Sequence, residues 1–226
     1  MAIFLYIDTA GEKAIVGISN NGQILALQEN TQSNTHASFV QVAIDEVSKS
    51  AGMNLKEIDA VVVTMGPGSY TGLRVGLSSA KGIAYALEKP LIGLSTLALL
   101  AQHASENEQI MINPNTQIFS MIDAKRMEVF GAIYTTDKTV ILNEQPIILT
   151  EAYLNQLLAK GPVVCVGNGA TKTKELLQDS NLYFIEESYS INDLICLALQ
   201  KWENKHFENL AYSSPAYLKD FYQKPV

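Results

Sequence analysis

The sequence predicts an α/β protein of two lobes built to one plan, each reading β-β-β-α-β-α-β-α. Three observations carry this. The same order of elements occurs twice along 226 residues. In each half a three-strand meander precedes alternating helices and strands, which implies a mixed sheet covered on both faces. A polar stretch, Ser105 to Thr116 (SENEQIMINPNT), separates the halves. The length suffices for two cores of about 100 residues each, and the boundary is expected at 1–105 and 106–226.

Residues 3–7 are a β-rich run ending at Asp8. Residues 14–18 and 23–28 are further strands around Asn21-Gly22, two residues that tolerate positive φ and so signal a hairpin. A helix follows over 37–51, where Val40, Ile44, Val47 and Ala51 recur at helical spacing and Gly52 stops it. The valine-rich run 60–65 reads as a strand buried on both faces. A glycine loop leads into a helix over 71–87, then a strand at 91–94 and a short helix at 96–103. In the second half strands fit 118–122, 128–134 and 139–142. A helix at 151–159, a strand at 163–166, a helix at 171–178 and a strand at 183–185 follow. The last helix, 191–204, opens with a capping box of Ser190 and Asp193 and carries the stripe Ile191, Leu194, Ile195, Ala198 and Trp202. Doubled in this order, the pattern matches the actin, Hsp70 and sugar-kinase superfamily: an actin-like ATPase fold of two ribonuclease H-like lobes with a nucleotide cleft between them.

Composition narrows the function. Lys and Arg number 16 against 23 Asp and Glu, a net charge of −7. Non-specific nucleic-acid affinity comes mostly from cationic contacts to phosphate, so a stand-alone RNA binder is not expected. Cys165 and Cys196 lie in apolar segments without CxxC or zinc spacing and read as buried small hydrophobes. The N-terminal run has no basic segment and too few apolar residues for a signal sequence. Ser95 and Thr96 interrupt the apolar run 91–101, which cannot span a bilayer. A cytoplasmic, soluble protein is expected.

The segment Met65-Gly66-Pro67-Gly68-Ser69-Tyr70-Thr71-Gly72-Leu73-Arg74 lies between a buried strand and a helix, where free N–H groups can hold an anion. It fails both phosphate codes tested. A Walker loop needs Gly then Lys where Thr71 begins, and GxGxxG needs glycine at Thr71. Two readings stand: an anion-holding turn, or a tight turn that lets the helix approach the sheet. Gly167-Asn168-Gly169 occupies the equivalent place in the second half. Asp8-Thr9-Ala10-Gly11 ends the first strand, where a carboxylate would hold Mg²⁺ through water, and Asp123 stands at the matching place. The nucleotide-cleft candidates are therefore Asp8, Thr9, Gly66, Pro67, Gly68, Ser69, Gly167, Asn168 and Gly169, against plain turn and cap roles for each. His36, His103 and His206 include no i, i+4 pair, and neither HExxH nor GxSxG occurs. No metal site is expected, and each histidine reads as a surface or capping group. The helix after the glycine loop keeps Gly76, Ser79, Gly82, Ala84 and Ala86 small. That suits close packing inside the chain or a helix-bundle interface with another chain.

The run from Gly66 to Gly82 (GPGSYTGLRVGLSSAKG) closely resembles the signature of the TsaB (YeaZ) family. The resemblance continues at Asp8-Thr9, at His36-Ala37, from Pro90 to Leu97, from Ile122 to Phe130 (IDAKRMEVF), at Gly167-Asn168-Gly169, and at Pro215-Ala216-Tyr217-Leu218-Lys219. It implies a bacterial, non-catalytic protein that binds TsaD, its catalytic paralogue, which transfers threonylcarbamoyl to the adenosine beside the anticodon of ANN-decoding tRNAs. It also implies self-association, TsaE joining through the TsaD complex, and contact with tRNA only indirectly. Catalytic relatives hold a metal with two histidines at i, i+4 after a strand like 91–94. Here Ser95-Thr96-Leu97-Ala98-Leu99-Leu100 offers none, so neither metal nor catalysis is expected, and no cofactor beyond weak or partner-dependent nucleotide binding. The family's partner contact lies on the first two helices, giving the candidates Phe39, Val40, Ala43, Ile44, Val47, Leu73, Val75, Gly76, Leu77, Ala80, Ile83 and Ala84. Ala10 stands where serine is usual, and Met127 where glycine is common. The alternative is an ATP-dependent phosphotransferase of the same superfamily using Asp8 and the glycine loops.

Overall fold

The computed structural model describes residues 2–32, 36–107, 114–186 and 188–219. The first sheet comprises β1 (Ile3–Asp8), β2 (Ala14–Asn20), β3 (Gln23–Asn30), β4 (Ala60–Gly66) and β5 (Leu91–Ser95), in the order β3-β2-β1-β4-β5. β1–β2 and β2–β3 are antiparallel, β1–β4 and β4–β5 parallel. The second sheet comprises β6 (Gln117–Asp123), β7 (Glu128–Thr135), β8 (Val140–Ile148), β9 (Val163–Val166) and β10 (Leu182–Ile185). Its order β10-β9-β6-β7-β8, read backwards, repeats the first, with the same senses of pairing. The helices are α1 (His36–Ser50), α2 (Tyr70–Leu87), α3 (Thr96–Ser105), α4 (Glu151–Leu158), α5 (Ala170–Leu176) and α6 (Ile191–Glu203). An actin-like α/β fold with a duplicated plan is what the sequence predicts.

Two compact units result: 1–96 with 190–216, and 97–189 with 217–226. This corrects the expected division at 105/106, because α3 and α6 are exchanged between the halves. Trp202 of α6 packs edge-on to Phe4 of β1 at 5.3 Å, an arrangement worth about 0.5–1.5 kcal/mol beyond area burial. Lys201 Nζ donates to the Gly93 carbonyl at 2.6 Å, and Gly17 on β2 leaves room for Ile191. α3 joins the second unit, where Gln102 accepts a hydrogen bond from Lys138 at 2.7 Å. Its Leu100 lies where a side chain at Gly167 would project. An amphipathic stripe fixes that a helix has a buried face, not which sheet it covers. The stretch expected to separate the halves lies partly outside the described residues.

In the first unit the sheet's two faces follow its alternation. Leu5, Ile7, Val16, Ile18, Val61 and Val63 form one core with Val40, Ala43, Ile44 and Val47 of α1 and Leu77, Ala80 and Ala84 of α2. Phe4, facing the other way, meets α6. The second unit packs Phe119, Met121, Val129, Ile133, Val163 and Cys165 against Leu154 and Leu157 of α4 and Ala170 of α5. Burial pushes the Cys165 thiol up to about 12, which makes it inert at neutral pH. Both capping roles of Ser190 and Asp193 are present at α6. Asn21 and Gly22 take φ 49° and 84°, as the hairpin signal requires.

Candidate functional site

The glycine segment is built around the end of β1. The Thr9 hydroxyl donates to the Gly72 carbonyl at 2.7 Å, and the Ser69 N–H donates to the Ala10 carbonyl at 2.7 Å. Ser69 caps α2 by accepting from the Gly72 N–H at 3.2 Å. Three glycines four residues apart make this approach possible. A Cβ at Gly68 would stand 2.3 Å from the Ala10 carbonyl oxygen, one at Gly72 2.1 Å from that of Thr9, and one at Gly76 2.3 Å from the Thr9 hydroxyl. Gly66 takes φ +104°, a conformation natural only to glycine, and a cis peptide joins it to Pro67. Asp8 is buried and accepts the Ala10 N–H at 2.9 Å. His36 opens α1, is buried, and donates through Nε2 to the Gly11 carbonyl at 3.2 Å. A carbonyl only accepts, so Nε2 is the donor in this bond. The expectation of a surface or capping group is corrected for this histidine: it is buried, and its ring bonds the β1–β2 turn rather than a helix end.

The second unit repeats the device. Gly167, at φ +97°, would place a Cβ 2.2 Å from the Met121 carbonyl oxygen, and the Gly169 N–H donates to that carbonyl at 3.2 Å. The Asn168 side chain accepts the Asp123 N–H at 2.8 Å. Lys172 of α5 donates to the Asp123 carboxylate at 2.7 Å. That bond first, and the Lys125 N–H after it, hold the Asp123 carboxyl below its ordinary range. Thus Asp8, Thr9, Gly68 and Ser69 come together in one unit, and Gly167, Asn168 and Gly169 join Asp123 in the other. In both, the loop's inward N–H bonds a carbonyl two residues from the aspartate that ends the central strand, after it at Ala10 and before it at Met121.

The partner candidates need correction. Val40, Ala43, Ile44, Val47, Leu73, Gly76, Leu77, Ala80 and Ala84 are buried in the unit's own interior, and Phe39, Val75 and Ile83 are only half-buried. Helical spacing found the apolar stripe, and that stripe faces the sheet. The outward side of the same two helices is different. Val42 is 57% exposed and Tyr85 77%, with Gln41, Ser78, Gly82 and Ala86 also exposed. A Cβ at Gly82 meets nothing within 4 Å. Gln41 donates to the Ser79 hydroxyl at 2.9 Å and ties the helices on this face. A lone valine among polar residues on α1, and a tyrosine off the stripe of α2, were the only sequence signals of it. Among the described residues no group of three or more His, Cys, Asp or Glu is arranged to hold a metal ion. No helix among them is long and apolar enough to cross a membrane.

A sequence profile of the family described as TsaD, tRNA N6-adenosine threonylcarbamoyltransferase, matches residues 23–223. The tRNA threonylcarbamoyladenosine biosynthesis protein TsaB of Escherichia coli is 29% identical over 223 residues, covering 96% of this chain and 94% of its own. The tRNA N6-adenosine threonylcarbamoyltransferase of Clostridium perfringens is 44% identical over 63 residues, 28% of this chain and 19% of that one. YeaZ from Pseudomonas aeruginosa has the same fold, with a TM-score of 0.80 at 22% identity, over 96% of this chain and 100% of that structure.

Proposed function

From the premise that the chain belongs to the TsaD threonylcarbamoyltransferase family, in its TsaB (YeaZ) branch, we propose that it serves tRNA threonylcarbamoyladenosine formation as a non-catalytic subunit. It docks the outward face of α1 and α2 onto a TsaD-type catalytic paralogue, which modifies the adenosine beside the anticodon of ANN-decoding tRNAs. TsaE joins through that complex, and self-association through the same face competes with it.

The observation that carries this reading is the outward face itself. Small and polar residues on neighbouring faces of α1 and α2, with Gly82 open and Val42 and Tyr85 standing proud, let a partner's helices approach closely. The non-catalytic role is supported by α3, where Leu97, Leu99, Leu100 and Ala101 are packed inward in place of the paired imidazoles implied for catalytic relatives. The absence of a nucleotide role is supported by Ser69 and Gly169, whose N–H groups already bond Ala10 and Met121. A phosphate taking either N–H would have to displace the carbonyl that it already bonds.

Capture of a TsaD-type partner by Val42→Asp and Gly82→Trp variants tests the reading. Neither site touches the interior, so both proteins fold, and each loses partner binding by at least about tenfold, roughly 1.4 kcal/mol. Wild-type capture by both would refute the docking face. Tight stoichiometric binding of Mg-ATP to the isolated chain would favour the phosphotransferase alternative instead.

A further inference from the structure

The only adjacent pair drawn from Lys and Arg is Lys125-Arg126. They form the tip of the β6–β7 turn, both exposed and both left-handed, at φ 67° and 51°. An L residue there costs roughly 1–2 kcal/mol, and glycine would remove that cost. The turn is clamped nonetheless. Asp123 Oδ1 accepts the Lys125 N–H at 2.5 Å, the Ala124 N–H donates to the Glu128 carbonyl at 3.2 Å, and the Glu128 N–H donates to the Lys125 carbonyl at 3.2 Å. Lys172 bonds both the Asp123 carboxylate and the Glu128 carbonyl. Lys219 pairs with the Glu128 carboxylate. Four cations therefore meet two carboxylates in this network, each carboxylate bonded to a lysine that is not at the tip. The excess positive charge sits on Lys125 and Arg126, in a chain whose net charge is −7.

In place of the purely indirect tRNA contact that the resemblance implies, we propose that this tip grips the phosphate backbone of tRNA while the chain sits on its catalytic partner, which rests on the subunit reading above. An ammonium beside a planar guanidinium matches phosphate oxygens by point charge and by fork. Such a contact positions a nucleic acid without reading its sequence. The −7 balance explains why the contact acts only beside a partner that supplies most of the affinity.

The test uses the assembled complex and an ANN-decoding tRNA, with binding measured across a salt series. The Lys125→Gly/Arg126→Gly double variant keeps the left-handed turn without strain. A Lys56→Ala/Lys160→Ala double variant, at two exposed lysines elsewhere, removes the same charge. The tip variant binds tRNA roughly tenfold more weakly near 0.15 M salt, and the slope of log K against log salt falls by about 1–2. The control moves under about twofold. Equal losses in the two variants, or no loss at the tip, overturn the proposal. Lost partner capture with tRNA binding otherwise unchanged makes the tip a protein contact and overturns it too. A wild-type mixture that forms no complex refutes the subunit reading, and the tip assignment with it; a wild-type complex that binds tRNA with an unaffected tip variant refutes the tip alone.

Discussion

Three alanine substitutions on one helix, Gly72→Ala, Gly76→Ala and Gly82→Ala, separate glycine needed for close approach from glycine tolerated in a helix. At Gly82 the new methyl meets nothing within 4 Å. The helix gains about 0.5–1 kcal/mol from reduced backbone entropy in the unfolded chain. At Gly72 the methyl would stand 2.1 Å from the Thr9 carbonyl oxygen. Comfortable separation is about 3.5 Å, so backbone must move by roughly 1 Å. Overpacking of this kind costs about 1–3 kcal/mol, and displacing the Gly72 carbonyl from the Thr9 hydroxyl removes a buried hydrogen bond worth about 1 kcal/mol. Less the helix gain, Gly72→Ala loses about 1–3.5 kcal/mol. Gly76 differs because its obstacle is the Thr9 hydroxyl at 2.3 Å, a side chain. Thr9→Ala should therefore rescue Gly76→Ala, with a coupling of about 0.5–3 kcal/mol in a double-mutant cycle, but recover only the hydrogen-bond share, about 1 kcal/mol, of the Gly72→Ala loss and leave its backbone clash. Urea unfolding followed by far-UV circular dichroism measures all of these. With a slope of about 3 kcal/mol/M, Gly72→Ala and Gly82→Ala midpoints should lie roughly 1 M apart, on opposite sides of wild type. A Gly72→Ala protein as stable as Gly82→Ala would refute the packing account and return the glycine run to ligand binding.

The Asp123 carboxyl is held low chiefly by Lys172. A depressed folded value gives stability that is present above the unfolded value near pH 4 and lost as pH falls through the folded one. Asp123→Asn should therefore be less stable than wild type at pH 7, by under about 1 kcal/mol given the group's exposure. The gap should close below about pH 4, and a gap unchanged at pH 3 would contradict this. Of the two cysteines, Cys165 is buried with its thiol raised to about 12, while Cys196 is partly exposed on α6. An aromatic disulfide reagent at pH 8 should react rapidly with one thiol, and Cys196→Ala should abolish that phase. Two fast thiols would contradict the packing of β9.

Periodicity and turn residues made nearly every element legible, because strands here are valine-rich or alternate and helices carry caps. The exception is β8, expected to end near 142 but continuing to Ile148 through Asn143, Glu144 and Pro146. A proline inside a strand normally argues against it. β8 is an edge strand bonded to β7 alone, where a missing N–H on the outer side breaks no ladder. The exchange of α3 and α6 was not legible, since Trp202 and Leu100 are equally apolar whichever sheet they meet. The outward face proposed for docking was illegible for the opposite reason. Surfaces that dock transiently are kept mixed and polar, and the apolar signal at Ile44 and Leu77 belongs to the core.

The duplication bears directly on whether the glycine loops hold an anion or pack the fold. A turn at a helix start that holds phosphate must keep N–H groups directed into space. Here, after β4, the Ser69 N–H meets Ala10, and after β9 the Gly169 N–H meets Met121. The same substitution of a strand-end carbonyl for an external anion occurs in two units that share a plan and little sequence. One such contact could be an accident of a single turn. Two from corresponding loops, each enforced by a glycine whose Cβ would strike the acceptor's carbonyl oxygen, argue that the loops bind the fold to itself, although Ala10 follows Asp8 and Met121 precedes Asp123. On this reading α2 is anchored at Thr9 and Ala10 by its first two turns, which fixes the outward track of Ser78, Gly82 and Ala86 relative to α1. Gly72→Ala should then weaken partner capture even where Gly82 is untouched, at temperatures where the variant remains folded. Undiminished capture by that variant would disconnect the loop from the docking face.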